Sequence, residues 1–183
     1  MFKNIQNTLF ALAFTQMLAI ANPGLNIHFS SQPSKSPDSI LRQNSESTSA
    51  FIDLRILNAE KIDKYFFQRS MPLNGYGMKF VLVAEKYGLP YNLLPAIAVL
   101  ESSGGKAAYN QNPFGWGSAK IVFKNFDEAI EVVGKNLGGA NPNTVHYYSS
   151  PVIEDKLWHY NESVVSGYTD RVKSVMKRID IGK

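Results

Sequence analysis

One acidic residue, Glu101, falls on a helix face that the sequence predicts to be buried. It follows Leu94, Ile97 and Ala98 by seven, four and three residues, which places all four side chains on one face of a helix. An ionised carboxylate among apolar side chains is costly, so such a group favours its protonated form. A carboxyl group that keeps its proton at neutral pH can act as a general acid. The alternative is that Glu101, in the last turn, extends into solvent.

The chain after Glu101 has a composition suited to saccharides. A turn of small residues at 102–106 allows another part of the chain to approach the carboxylate, and residues 110–117 combine amides, glycines and aromatic rings. Sugars present polar groups at the ring edge and C–H groups on the ring face, so amides and flat aromatic rings complement them. The predicted binding residues in this part of the chain are Ser102, Tyr109, Asn112, Phe114 and Trp116. For Phe114 and Trp116 the alternative is a place in the core.

Helix signals recur through the second part of the chain, and the helices that they predict must position these residues. We predict helices over residues 58–69 (capped by Asn58, stopped by Pro72), 75–87, 90–101, 127–137 (with Asn125 and Glu128 as a capping box), from 150 onward, and over 168–179. Residues 118–126 are rich in β-branched and aromatic types, which predicts a short strand or hairpin arm. The predicted fold class is therefore mainly α (α+β), a helical bundle around the helix that carries Glu101.

The first part of the chain has two different compositions. Residues 1–21 contain Lys3, an apolar run and a small-residue ending at Ala19-Ile-Ala21, which predicts a signal peptide and export from a bacterial cell. The alternative is a retained membrane anchor. Residues 22–50 are rich in Ser, Asn, Gln and Pro and predict a flexible linker, or alternatively a loop packed on the domain. Residues 51–183 then form one domain.

Composition excludes several kinds of chemistry. The 183 residues contain no cysteine, which removes disulfides, thiolate metal sites and cysteine nucleophiles, and the three histidines are too scattered for a three-histidine metal site. We therefore expect no cofactor and no metal. The net charge of +4 is carried by single Lys and Arg residues rather than blocks, so we expect no nucleic-acid partner. We also expect no membrane span after removal of the leader, and a monomer.

Two segments together resemble a known superfamily. These are residues 84–106 (AEKYGLPYNLLPAIAVLESSGGK) and the element Asn112-Pro-Phe-Gly115. They resemble the lysozyme-like superfamily, in particular the bacterial glucosaminidases and soluble lytic transglycosylases that cleave peptidoglycan. The similarity covers roughly residues 59–179. It implies a lysozyme-like fold, a glycan-strand substrate and Glu101 as the general acid.

A later segment, Trp158-His-Tyr-Asn161, is similar to the Tyr-Asn segment of the transglycosylases. The similarity implies that Tyr160 orients Glu101 or the substrate N-acetyl group, and that Asn161 binds substrate. The alternative for Tyr160 is a core position with its hydroxyl at the rim. The chain departs from the transglycosylase pattern in two places: residues 112–117 replace a Gly-Leu-Met-Gln loop, and Glu162-Ser163 replaces Ala-Gly.

A second acid is missing where glycosidases of this kind carry one. Residues 102–126 contain no Asp or Glu, and the acids that follow are Asp127, Glu128 and Glu131. We therefore predict a mechanism with Glu101 as the single acid and base, which yields either a hydrolysed or an anhydro product. The sequence leaves open which of the two glycan bonds is cut. Two other readings remain open, a non-catalytic wall-binding or wall-assembly module and an exported helical protein unrelated to glycans.

Overall fold

The computed structural model describes the backbone of residues 37–182 and the side chains of residues 49–182. The predicted signal peptide and the first part of the predicted linker lie outside these residues. Within them, no helix is both long and apolar enough to cross a membrane.

The described chain is mainly helical, as predicted. Its helices are α1 (Pro37–Phe67), α2 (Gly77–Lys86), α3 (Leu93–Ser102), α4 (Phe126–Leu137), α5 (Val145–Tyr148), α6 (Ile153–Leu157) and α7 (Tyr168–Asp180). Helix α6 continues without a break into a single π-helical turn, Trp158–Glu162, which is called the π turn below. Short π-helical turns often occur at functional sites.

Helix α1 begins earlier than the sequence predicted. Residues 37–50, assigned to the flexible linker, are helical, and Asn58 lies inside the helix rather than at its start. Pro37 is suited to the first turn, where its missing N–H needs no acceptor. No proline or glycine follows until Pro72, so nothing in the sequence stops the helix before Phe67.

The predicted strand or hairpin arm at residues 118–126 is wrong. The structure has turns and extended chain there and no strand anywhere in residues 37–182. Ser118 and Ala119 have left-handed backbone conformations, and the N–H group of Phe123 donates to the carbonyl oxygen of Asn110 at 3.0 Å. A strand needs a paired neighbour along its length, and this segment has only one such backbone bond across the loop.

Helix α3 lies at the centre of the fold and is buried on nearly every side. Its residues from Leu93 to Ala98 are all buried, and it packs against α2, α4 and α7. A helix that is apolar all round belongs in a core. The last turn of α3 leaves this core, and Glu101 lies in that turn.

Helices α4 and α7 support α3 with the apolar faces that the sequence predicted. Asn125 caps α4 by accepting a hydrogen bond from the Glu128 N–H group at 2.9 Å, and Glu128 accepts one from the Lys124 N–H group at 2.6 Å. This is close to the predicted capping box. In α7, Val172, Val175 and Ile179 are fully buried. Both helices therefore hold fixed positions beside α3.

Candidate functional site

A groove of about 470 Å³ opens beside Glu101. Its lining comes from the end of α3, the loop that follows, α5 and the π turn. The lining residues are Glu101, Phe114, Gly115, Trp116, Gly117, Ser118, Tyr148, Tyr160 and Asn161. Glu101 is the one acid among them. The groove is within the size range of pockets that bind small organic ligands.

The carboxylate of Glu101 is held by a tyrosine that lies 67 residues later in the sequence. Glu101 is partly buried, and its Oε1 atom accepts a hydrogen bond from the Tyr168 hydroxyl at 2.7 Å. Tyr168 is only 2% exposed and is the first residue of α7. Burial, followed by the neighbouring Tyr160 and Glu101, raises the pKa of Tyr168 far above its usual range. Tyr168 therefore remains a donor throughout the physiological pH range.

The other carboxylate oxygen lies against the loop at Gly115. An ideal Cβ atom at this position would lie 3.1 Å from Glu101 Oε2, and the backbone has φ +61°. Both features favour glycine, which tolerates the left-handed conformation and leaves room for the carboxylate. No described residue donates a hydrogen bond to Oε2. This oxygen therefore lies beside Gly115, another residue of the groove lining, and has no side-chain hydrogen-bond partner in residues 49–182.

Two predicted binding residues hold the loop instead of lining the groove. Ser102 is buried, donates its hydroxyl hydrogen to the Pro113 carbonyl oxygen at 2.7 Å and accepts from the Gly105 N–H group at 3.0 Å. Asn112 is also buried. Its amide donates to the Trp116 carbonyl oxygen at 2.8 Å and accepts from the Trp116 N–H group at 3.0 Å. These bonds fix the path of the loop and so the place of Trp116.

Tyr160 lies in the groove, but its hydroxyl group does not bond Glu101. It donates to the Phe114 carbonyl oxygen at 2.6 Å, and its ring stacks on that of Tyr168 with centroids 6.0 Å apart and planes at 12°. Burial, followed by the neighbouring Glu101 and Tyr148, raises the pKa of Tyr160. The residue predicted to orient the acid thus positions Tyr168 and the loop, and the direct bond to the acid comes from Tyr168.

Aromatic rings form much of the groove wall. Trp116 is half-buried, with its ring centroid 5.8 Å from that of Tyr160 and 6.1 Å from that of Tyr148. Phe114 contributes to the lining although it is only 1% exposed, so most of its ring belongs to the core, which was the alternative stated for it. Asn161, predicted to bind substrate, lies in the groove lining. Tyr109 is 71% exposed and lies outside the lining.

None of the three candidate second acids lines the groove. Glu131 accepts hydrogen bonds from Lys79 at 3.1 Å and Tyr87 at 2.8 Å and also binds Lys86. The hydrogen bond from Lys86, with those from Tyr87 and Lys79, lowers the pKa of Glu131 to about 2. Glu128 caps α4, and Asp127 lies in the first turn of the same helix. Among residues 49–182, Glu101 is therefore the only carboxylate of the groove lining.

Comparisons with known proteins name no family. No protein-family model matches the chain, and neither the curated proteins nor the solved structures contain a significant match. In residues 37–182 no group of three or more His, Cys, Asp or Glu side chains is arranged to hold a metal ion. The site has to be interpreted from its own geometry.

Sequence reasoning missed the role of Tyr168. The residue was placed at the start of the last helix, and its hydroxyl group was given no function. It precedes Val172 and Val175 by four and seven residues, so it shares their buried face. A buried tyrosine hydroxyl needs a hydrogen-bond partner, and this could have pointed to an acid nearby. Tyr148 is a further aromatic residue of the groove lining.

Proposed function

We propose that this protein is a lysozyme-like enzyme that cleaves β-1,4 glycosidic bonds in peptidoglycan glycan strands. The observation that carries the proposal is the placement of Glu101: a partly buried carboxyl group in an aromatic-lined groove, bonded on one oxygen by a buried tyrosine and open on the other. A single acid held in this way suits proton transfer to a bound substrate. The amide and aromatic lining suits a saccharide.

The two carboxyl oxygens of Glu101 would have different tasks. Because Tyr168 donates to Oε1, the proton is carried by Oε2, which faces the groove beside Gly115. Oε2 gives this proton to the glycosidic oxygen as the bond between that oxygen and the anomeric carbon breaks. The resulting carboxylate keeps its hydrogen bond from Tyr168. It then accepts a proton from the group that attacks the anomeric carbon.

The second half of the reaction proceeds without another acid. The positive charge that develops at the anomeric carbon would be supported by the carbonyl oxygen of the substrate's own N-acetyl group, since Glu101 is the only carboxylate of the groove lining. Attack by water gives a new reducing end. Attack by the C6 hydroxyl group of the same sugar gives an anhydro sugar.

The other parts of the proposal concern where the enzyme acts. A leader at residues 1–21 would export it to the periplasm or cell wall, and the chain between leader and domain would give it reach to the glycan. It would act as a monomer without a cofactor. Trp116, Tyr148 and Asn161 would contact the sugar rings.

The test compares Glu101→Gln with the wild-type protein on purified peptidoglycan sacculi. The substitution keeps the size of the side chain but removes the acid, so release of soluble glycan should fall by at least about 10²-fold to 10⁴-fold. The matched control is Glu60→Gln, the same chemical change at an exposed position of α1, which should leave release unchanged. Full activity of Glu101→Gln would contradict the proposal. If the wild-type protein binds sacculi and releases nothing, the protein is instead a wall-binding module.

A further inference from the structure

A second group of aromatic rings lies at the surface beside the groove. Tyr147, at 48% exposed, and the exposed imidazole of His159 have ring centroids 5.3 Å apart. The exposed ring of His146 lies against Tyr147, with centroids 3.9 Å apart. Tyr147 and His159 are called the aromatic ledge below. The ledge combines α5 with the π turn, so two separate elements build it.

Tyr148 connects the ledge to the groove. It is part of the groove lining, and on that side its ring centroid lies 6.1 Å from that of Trp116. Its centroid also lies 6.3 Å from that of Tyr147 and 6.5 Å from that of His159. A continuous series of ring contacts therefore runs from the groove to the surface.

In the π turn, two neighbouring residues belong to different surfaces, one to the groove and one to the aromatic ledge. Tyr160 lines the groove, whereas His159 joins the ledge. The ledge rings contact one another, so their rotation is already restricted in the free protein. A ligand that binds them therefore causes a smaller loss of side-chain conformational entropy. Exposed flat rings held in this way offer apolar faces that a sugar's C–H face can cover.

The size of the groove shows why such a surface is needed. A volume of about 470 Å³ is that of a pocket for a compact ligand, whereas a glycan strand is a polymer that must continue past the rim. On the side of Tyr148, the surface next to the groove is the aromatic ledge. The ledge itself contains no carboxylate that would repel the acidic substituents of the strand.

We propose that the aromatic ledge is a further saccharide-binding site, which takes a sugar ring of the same β-1,4-linked N-acetylated strand outside the groove. This inference rests on the proposed glycan-cleaving function and extends it from the cleaved bond to the length of strand that is bound. It assigns Tyr147 and His159 to binding and to no step of the chemistry.

The experiment measures saccharide binding to the full chain carrying Glu101→Gln, so that no ligand is consumed. The probes are the trisaccharide and the hexasaccharide of β-1,4-linked N-acetylglucosamine, followed by NMR titration. Adding Tyr147→Ala or His159→Ala should weaken hexasaccharide binding by roughly threefold to tenfold, the range expected for loss of one aromatic contact. Trisaccharide binding should not change. Tyr147→Trp keeps an aromatic ring at this position, so this variant should bind the hexasaccharide as tightly as the Glu101→Gln parent does.

Phe67→Ala is the control, because Phe67 is also an exposed aromatic residue and lies on α1, which contributes nothing to the groove lining. It should bind both probes as the Glu101→Gln parent does. Unchanged hexasaccharide binding in both ledge variants would contradict the proposal that the ledge binds a sugar ring. An equal loss of binding for the trisaccharide and the hexasaccharide would contradict it as well. If the parent binds neither probe, the proposed function itself is wrong, so the two failures can be told apart.

Discussion

The hydroxyl group of Tyr168 lies 2.7 Å from Glu101 Oε1 and joins the first residue of α7 to the last turn of α3. The two residues are distant in sequence and meet because α3 and α7 pack side by side. The bond occupies one carboxyl oxygen and leaves Oε2 facing the groove. In the proposed reaction, the bond therefore determines which oxygen exchanges a proton with the substrate.

Replacement of Tyr168 by Phe should lower the turnover rate without unfolding the protein. The variant keeps the buried ring and its stacking on Tyr160 and loses only the donor to Glu101. A hydrogen bond to a charged group contributes about 1.5–3 kcal/mol, so kcat should fall by about tenfold or more while KM changes little. Steady-state kinetics on soluble glycan fragments measures both constants.

The control for this substitution is Tyr76→Phe. It removes the same hydroxyl group from a partly buried tyrosine that packs edge-on against Phe126 and has no side-chain hydrogen bond in residues 49–182. Its kinetic constants should match the wild type. A Tyr168→Phe variant with unchanged kcat would show that the bond to Glu101 does not serve catalysis.

Glu162 should affect catalysis through Tyr168. Its carboxylate accepts hydrogen bonds from the N–H groups of Gly167 at 2.8 Å and Thr169 at 2.6 Å, on either side of Tyr168. Glu162→Ala removes both, so we expect faster hydrogen exchange at the Thr169 amide and a lower kcat. Glu154→Ala, which removes a surface ion pair with Lys173, is the comparison and should alter neither. Normal exchange at Thr169 in the Glu162 variant would refute this role.

The acid dependence of stability should report on Glu131. Its pKa is about 2 in the folded protein, chiefly because of the hydrogen bond from Lys86, and rises toward the ordinary value of 4.5 on unfolding. The ionised form thus stabilises the fold above about pH 4.5, and this contribution is lost as the pH falls toward 2. Glu131→Gln should lower the free energy of unfolding by about 1 kcal/mol at pH 7, since water screens a partly exposed cluster.

Denaturant titrations at several pH values test this expectation. The difference between wild type and Glu131→Gln should shrink steadily below pH 4.5 and vanish near pH 2. Glu60→Gln, at an exposed position, provides the baseline. A difference that stays constant between pH 7 and pH 2 would mean that the loss comes from packing and not from charge.

Much of the helical architecture could be predicted from the sequence, because local patterns decide it. The spacing of Val172, Val175 and Ile179 gave the buried face of α7, and Asn125 gave the start of α4. The start of α1 was placed too late because Asn58 resembles a cap. A cap residue marks a helix start only where the preceding chain is not itself helical, and here it is.

The loop and the site depended on contacts between distant parts of the chain. β-branched residues at 121–122 suggested a strand, but residues 37–182 contain no strand that pairs with them. Ser102 and Asn112 have residue types suited to sugar binding, yet both are buried and bond the loop. The spacing of Tyr168 with Val172 and Val175 indicates a buried hydroxyl group that needs a partner. It does not identify Glu101 as that partner, because this depends on how α7 packs against α3.

The most direct test of the central claim is mass spectrometry of the fragments that the wild-type protein releases from purified sacculi. If Glu101 transfers a proton to a glycosidic oxygen, the released fragments will have cleaved β-1,4 bonds and end in a new reducing sugar or in an anhydro sugar. Glu101→Gln will release at least about 10²-fold to 10⁴-fold less of either product. Intact glycan strands after prolonged exposure to the folded wild-type protein would contradict the account.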